Sequence, residues 1–146
     1  MTRSGKLKPI INVAEILQQG KARRLAATTA IIVKAEQRID QLRSFDQEYK
    51  TRLRQQPTAV QQPEWLQNQT RFFNRLFEAI DLESRFVSEA KQTLERQKME
   101  WLSSRNRTVS LQTLSDNYRA DEQKQKQKRE QKMLEDFARP GRTKPV

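Results

Sequence analysis

Hydrophobic residues recur at alternating intervals of three and four along most of the chain, with polar residues between them. In the first half this series consists of Leu25, Thr28, Ile32, Ala35, Ile39, Leu42, Asp46, Tyr49 and Leu53. In the second half it consists of Leu66, Gln69, Phe73, Leu76, Ile80, Glu83, Val87, Ala90, Leu94, Gln97, Trp101, Ser104, Thr108, Leu111, Ser115 and Tyr118. This spacing predicts two long coiled-coil helices. Before Leu25 the series continues in steps of four through Val13 and Leu17, which predicts a stutter near Gly20.

The positions of proline decide how the two helices are joined. Pro57 and Pro63 bracket a segment that cannot easily continue a helix, because proline lacks a backbone donor and biases its predecessor away from the α region. Two narrow apolar seams joined by a short loop are most simply buried by an antiparallel hairpin. The alternative is a parallel dimer of continuous helices, in which each proline would cost about 3 kcal/mol.

The predicted fold is therefore all-α: a long antiparallel two-helix coiled-coil hairpin. We expect a single hairpin domain over residues 10–139 with its loop at about 57–63, a disordered basic N-terminus at 1–9 and a flexible tail at 140–146. Folding at about residue 60 leaves residues beyond about 110 without a partner, which predicts a C-terminal helical overhang.

Composition excludes several kinds of chemistry. The chain has no Cys and no His, so thiol nucleophiles, disulfides, Cys/His zinc sites and Ser-His-Asp catalysis are ruled out. Acidic and basic residues alternate at helical spacing, which is typical of a solvated face, and there is no Gly-rich phosphate loop. We expect no enzymatic activity, no metal and no cofactor. The longest apolar stretch, Leu25 to Val33, is far shorter than the roughly 20 residues of a membrane span, and no signal peptide is evident, which predicts a cytoplasmic protein.

The net charge of +11 lies mainly at the two chain ends. Residues 1–24 carry six basic residues and one acidic residue, and residues 105–146 carry eleven basic and six acidic residues. Folding at the loop would bring these ends together in one basic tip, where Met133, Leu134 and Phe137 add a short apolar cluster.

Some aromatic residues are not used by the seam. Trp65, Phe72, Ala79 and Phe86 recur every seven residues beside the seam of the second helix, and Phe45 adjoins Asp46 in the first. Two interpretations remain open. These residues either broaden the core to the three-in-seven stripe of a packed helix or form an exposed docking patch.

Three segments together resemble the flagellar FliJ family. They are AEQRIDQLRSFDQEYKTRL from Ala35, EWLQNQTRFFNRLFEAI from Glu64, and the final QKMLEDFARPGRTKP. The aromatic pattern of Phe45, Tyr49, Trp65 and Phe72 is more specific than the heptads alone. Members of this family are central stalk and chaperone-handling proteins of flagellar type III export, so the resemblance implies a role in flagellum biogenesis, protein transport and motility.

The resemblance also implies partners and sites. The end of the hairpin that carries both chain termini would sit in the central hole of the hexameric export ATPase. The residues implied for this contact are Lys21, Arg23, Arg24, Lys128, Arg129, Met133, Leu134 and Phe137. The cytoplasmic domain of the export gate protein would bind a strip across both helices, formed by Arg38, Leu42, Phe45, Tyr49, Phe72, Leu76, Ala79 and Glu83. Export chaperones would be further partners. The protein would be peripherally associated with the inner-membrane export apparatus and would bind no nucleic acid.

Two alternatives are weighed against this reading. One is the equivalent stalk of a virulence injectisome. The other is a coiled-coil nucleic-acid-binding protein, motivated by the charge of +11. Against it, aromatic residues that could stack on bases are not interleaved with the basic ends, and the C-terminal segment mixes acids among its bases.

Overall fold

A computed structural model of the chain describes residues 2–55 and 63–139, and this part consists of two α-helices. Helix α1 spans Arg3–Gln55 and helix α2 spans Pro63–Ala138. They pack against each other in antiparallel directions, because Glu36 pairs with Lys91 whereas Tyr49 contacts Phe73. The all-α hairpin predicted from the seam is confirmed. The predicted tail at 140–146 and the predicted loop, apart from Pro63, lie outside the described residues.

The ends of both helices carry residues suited to those positions. Thr2 caps α1: its hydroxyl accepts a hydrogen bond from the Gly5 amide at 3.1 Å, and its carbonyl accepts one from the Lys6 amide at 3.1 Å. The last turn of α1 contains Arg52 and Arg54, which are favoured near the negative end of the helix dipole. Helix α2 begins at a proline and has Glu64 in its first turn, both of which favour a helix start.

The N-terminal segment differs from the expectation of disorder at residues 1–9, because α1 already begins at Arg3 and continues through Pro9. Proline removes one donor at this point, but contacts with α2 offset the loss. The Ser4 hydroxyl donates to the Glu122 carboxylate at 2.8 Å, and its amide donates to the same carboxylate at 3.2 Å. Further along α1, Ile11 and Ala14 are buried.

Contacts within the described residues form two packing units. One unit contains residues 2–20 and 101–139, and the other spans Lys21–Glu100. The single domain expected over residues 10–139 stays a prediction. In the second unit the buried core consists of Ile32, Ala35, Ile39 and Val87, with Ile80, Ala90 and Leu94 packed against it.

The predicted seam is buried over most of its length. Every predicted position from Leu25 to Leu53 on α1 is buried or half-buried, and on α2 Leu66 is the one exception, at 46% exposed. The predicted stutter near Gly20 is wrong. Val13 and Leu17 are 58% and 53% exposed, whereas the three-four spacing continues without a break toward the N-terminus through Ser4, Leu7, Ile11, Ala14, Gln18 and Lys21.

Helix α2 extends beyond the paired region, as predicted, but the overhang is shorter than expected. Pairing reaches Glu122 instead of ending near residue 110, because the first residues of α1 are helical and contact α2. From residue 123 to residue 138 every residue except Asp136 is exposed. A helix with no packed face depends on its own local propensity.

In the described part of the chain, three of the polar side chains in the seam carry a buried oxygen without a hydrogen-bond partner. Asp46 Oδ1, Gln69 Oε1 and Gln97 Oε1 are buried, and none has a hydrogen-bond partner among the described residues. The other oxygen of Asp46 pairs with Lys50 Nζ at 3.0 Å. Burying a polar atom without a partner lowers stability, so these positions weaken the pairing of the two helices.

Neither helix, over the residues described, contains a stretch that is both long and apolar enough to cross a membrane.

The contact of Ser4 with Glu122 gives a test that separates the hairpin from a parallel dimer. Because the chain has no native Cys, the variant Ser4→Cys/Glu122→Cys can be joined only at these two positions by a short bismaleimide. We expect an intramolecular crosslink in a particle of monomer mass, measured by denaturing gel and light scattering. The control Ser4→Cys/Glu135→Cys places the second thiol about 20 Å further along α2 and should not crosslink within the chain. Crosslinks found only between chains would contradict the hairpin.

Replacing Asp46 by an apolar residue should stabilise the protein. The Asp46→Leu change removes a buried oxygen that lacks a partner, at the expense of an ion pair within one helix, and should raise the free energy of unfolding by about 1 kcal/mol. Urea denaturation followed by circular dichroism measures this. Asp40→Leu, at an exposed position of the same helix, is the matched control and should change stability by less than about 0.5 kcal/mol. A loss of stability in Asp46→Leu would show that this carboxylate supports the fold.

Candidate functional site

Four aromatic rings link the two helices toward the end of α1. The ring centroid of Phe72 lies 5.9 Å from that of Phe45, 4.7 Å from that of Tyr49 and 5.8 Å from that of Phe73. Tyr49 also meets the edge of Phe73 at 5.5 Å. Such tilted and edge-on arrangements are the favourable geometries for aromatic pairs. The sequence therefore brings Phe45, Tyr49 and Phe72 together, as the predicted strip requires, and adds the seam residue Phe73.

The members of this aromatic cluster differ in how much surface they expose. Phe45 is 50% exposed, whereas Tyr49, Phe72 and Phe73 are half-buried. Phe72 touches three rings and therefore packs between the helices while keeping part of its surface free. The same residues therefore broaden the core and leave an apolar surface beside it, while the docking patch stays a prediction.

Lys50 lies beside Phe73 and Phe77 at the edge of the aromatic cluster. Its ammonium is 5.8 Å from the ring centroid of Phe73 and 5.5 Å from that of Phe77, within the range of a cation–π interaction. The same ammonium pairs with Asp46. This combination covers the apolar edge of Phe73 with the long side chain of Lys50 and keeps that face polar.

Next to the aromatic cluster lies a groove between α1 and α2, with a volume of about 320 Å³. Its walls are Arg38, Gln41, Leu42 and Phe45 on α1 and Glu83 on α2. Arg38 Nε lies 3.7 Å from Glu83 Oε1, and the two side chains are 56% and 28% exposed. An ion pair this exposed contributes at most about 1 kcal/mol to stability.

Ring contacts and the lining of the groove join six of the eight predicted strip residues, namely Arg38, Leu42, Phe45, Tyr49, Phe72 and Glu83. The eight residues are not equally accessible. Leu76 is 7% exposed and packs into the seam. Leu42, Tyr49, Phe72, Ala79 and Glu83 are half-buried, and Arg38 and Phe45 are exposed. The surface available to a partner is therefore centred on Phe45 and Arg38, with half-buried neighbours around them.

Two residues that the predicted strip omits adjoin this surface. Leu82 and Phe86 are 65% and 43% exposed, and they line a second cavity of about 280 Å³ together with Arg38 and Glu83. The seven-residue repeat of Phe72, Ala79 and Phe86 was a signal for Phe86. Leu82 lies outside both the seam and that repeat, so the sequence pattern gave no signal for it.

In the other packing unit, the first residues of α1 lie against α2. The Arg3 guanidinium carbon is 5.8 Å from the ring centroid of Tyr118, and Ser4 binds Glu122 as described above. A groove of about 790 Å³ follows along α2 and carries mostly charged and polar side chains: Thr2, Arg3, Tyr118, Arg119, Asp121, Glu122, Gln123, Gln125, Lys126 and Arg129.

The residues predicted to enter the ATPase ring are exposed, apart from the half-buried Lys21, and they are distributed over both units. Lys128, Arg129, Met133, Leu134 and Phe137 lie on the unpaired part of α2, where the three apolar residues are 71%, 71% and 95% exposed. Lys21, Arg23 and Arg24 belong to the other unit. Arg3 and Ser4 lie next to the last paired turns of α2. Neither is among the eight residues predicted to bind the ring.

Within residues 2–55 and 63–139 no group of three or more acidic side chains is placed to hold a metal ion. The surfaces described above are shallow, charged or apolar, and are suited to contacts with other proteins.

A family model described as the flagellar FliJ protein matches residues 3–140. No curated protein and no solved structure shows significant similarity to the chain. The match covers both helices and both packing units.

The unequal burial of the aromatic cluster predicts unequal effects of truncation. Phe72→Ala removes contacts to three rings and should lower the free energy of unfolding by about 2 kcal/mol, less than the roughly 3–5 kcal/mol of a fully buried Phe. Phe45→Ala removes one ring contact from a half-exposed side chain and should cost about 0.5 kcal/mol. Thermal and urea denaturation of the two variants measure the difference. Equal losses would show that Phe45 is a core residue.

Proposed function

Because the chain belongs to the flagellar FliJ family, we propose that it is the central stalk of flagellar type III protein export, linking the hexameric export ATPase to the export gate protein. The family places the chain among stalk-related components of flagellar export rather than known enzymes. The observation that carries the proposal is the aromatic surface on the helical hairpin, where Phe45 keeps half of its side chain exposed. The flagellar family also favours this role over that of an injectisome stalk.

The gate protein's cytoplasmic domain binds the strip centred on Phe45. This assignment is supported by geometry: Phe45, Tyr49 and Phe72 meet in one cluster that spans both helices. It is also supported by exposure, because half of the Phe45 side chain is accessible without any rearrangement. Aromatic side chains held in place by their neighbours lose little entropy on binding and are enriched among interface hot spots.

The ATPase ring binds the packing unit that contains the beginning of α1 and the end of α2. The unpaired part of α2 carries Lys128 and Arg129 together with Met133, Leu134 and Phe137, all exposed. The charges speed encounter with an acidic partner and are screened by salt, whereas the apolar side chains contribute contacts that salt does not weaken. Lys21, Arg23 and Arg24 are further cations proposed to face the ring. The chain hydrolyses nothing itself and acts by binding.

Handling of export chaperones completes the proposed role, and it rests on the family alone. The protein would act in the cytoplasm, at the export apparatus of the inner membrane, without a cofactor and without binding nucleic acid.

Two variants should separate the proposed sites. Phe45→Ser places a polar group at the centre of the strip, and we expect it to abolish binding of the gate's cytoplasmic domain while stimulation of the export ATPase persists. The triple change Met133→Ser, Leu134→Ser and Phe137→Ser should do the reverse. Pull-down with the gate domain and ATP hydrolysis by the hexamer, each at low and at physiological salt, are the two measurements.

Met99→Ser is the matched control, since Met99 is 66% exposed and belongs to neither site. It should leave gate binding and ATPase stimulation unchanged. Retention of gate binding by Phe45→Ser would remove the strip from the gate interface. Unchanged stimulation by the triple variant at low salt would remove the unpaired end of α2 from the ring. Binding of the chain to DNA with higher affinity than to either protein would favour the nucleic-acid alternative.

A further inference from the structure

The docking surface on the Lys21–Glu100 unit continues beyond the eight predicted strip residues. Two cavities, of about 320 and 280 Å³, share Arg38 and Glu83 as walls. Leu42 and Phe45 line the first cavity, and Leu82 and Phe86 line the second. The two cavities are therefore adjacent compartments of one groove, separated by the Arg38–Glu83 ion pair.

Leu82 and Phe86 lie outside the apolar seam of α2. Both are exposed, although they stand one turn apart on the same side of α2. The residues that close the seam at this level are Glu83 and Val87, which are half-buried and buried. Two large apolar side chains that share a cavity outside the core are typical of a binding surface.

We propose that Leu82 and Phe86 form a second anchor pocket for the partner that binds the strip at Phe45, and that this partner enters the groove as an amphipathic helix. The inference rests on the proposed function, since it adds residues and a binding mode to the same interface. The proposal is supported by the continuity of the groove. A partner that contacts Leu42 and Phe45 would next contact Arg38 and Glu83, and then Leu82 and Phe86.

The shape of the groove favours a helix as its occupant. Two antiparallel helices form its sides, and a third helix fits between them with its apolar side chains in the groove, as in other helix-in-groove complexes. From Phe72 to Phe86 the surface follows 14 residues of α2, about 21 Å of helix axis. A partner helix of about four turns would cover this length.

The ion pair between the compartments sets what the partner can present there. Arg38 and Glu83 already face each other, so a partner charge of either sign would be attracted by one member and repelled by the other. We therefore expect an apolar or uncharged face on the partner helix, with its charges at the rim.

The test compares how two double variants bind the gate protein's cytoplasmic domain, measured as the Kd. Leu82→Ser/Phe86→Ser should raise the Kd by about tenfold or more, the effect of losing a hot-spot contact. The control Ile31→Ser/Met99→Ser removes two apolar side chains of similar exposure, 47% and 66%, elsewhere on the same unit. It should leave the Kd within about twofold. Circular dichroism of each variant confirms that the helices are intact, which is expected because all four side chains are exposed.

The outcomes distinguish this inference from the proposed function. If the unaltered chain does not bind the gate domain, the proposed function fails and this inference fails with it. If Phe45→Ser abolishes binding but Leu82→Ser/Phe86→Ser does not weaken it, only the second pocket is refuted. A concentration-dependent dimer of the free chain that is lost in Leu82→Ser/Phe86→Ser would instead assign the pocket to a second copy.

Crosslinking tests the helical occupant. Leu82→Cys and Phe86→Cys each introduce the only thiol in the chain, which can carry a photo-activated crosslinker. Both positions should crosslink to one segment of the gate domain, at residues three or four apart along its sequence. Crosslinked residues that alternate in steps of two would indicate an extended strand and overturn the helix.

Discussion

In residues 2–55 and 63–139 each helix has one other helix against which to bury its apolar side chains, and this constraint governs the rest of the structure. A two-helix interface offers one narrow seam, so few side chains leave water completely. In the described part of the chain the buried hydrophobic residues are Ile11, Ala14, Ile32, Ala35, Ile39, Leu76 and Val87. Ala35 is fully inaccessible and lies in the core with Ile32, Ile39 and Val87. Every larger apolar residue outside the seam keeps some exposed surface.

The candidate interface is a direct result of that geometry. In a larger protein Phe45 and Phe86 would be covered by a third layer of structure, whereas here they remain 50% and 43% exposed. Phe72 contacts both Phe45 and Tyr49. The aromatic side chains proposed for recognition are therefore also used in packing. A substitution in this cluster must be examined for stability before its effect on binding is interpreted.

The sequence predicted the central seam well because its apolar residues follow one period. Leu25 to Leu53 and Phe73 to Tyr118 are buried or half-buried where the spacing placed them. The prediction failed in the first turns of α1, where the polar residues Ser4 and Gln18 occupy seam positions. The apolar residues Val13 and Leu17 were assigned to the seam instead, although both are exposed. The pairing of Ser4 with Glu122 could not be foreseen, since its hydrogen bonds join residues 118 apart. Nor could the spacing show that Arg38 and Glu83 meet across the groove.

The antiparallel pairing has a consequence for the order of folding. Phe45 and Phe72 are separated by 27 residues, whereas Ser4 and Glu122 are separated by 118. Each doubling of a closed loop adds about 0.6 kcal/mol of entropy loss, so closing the longer loop directly costs roughly 1.3 kcal/mol more than closing the shorter one. If pairing starts at the aromatic cluster, each contact that forms shortens the loop that the next contact has to close. We therefore expect helix pairing to form from the aromatic cluster outward, and the contact between Ser4 and Glu122 to form late and open early.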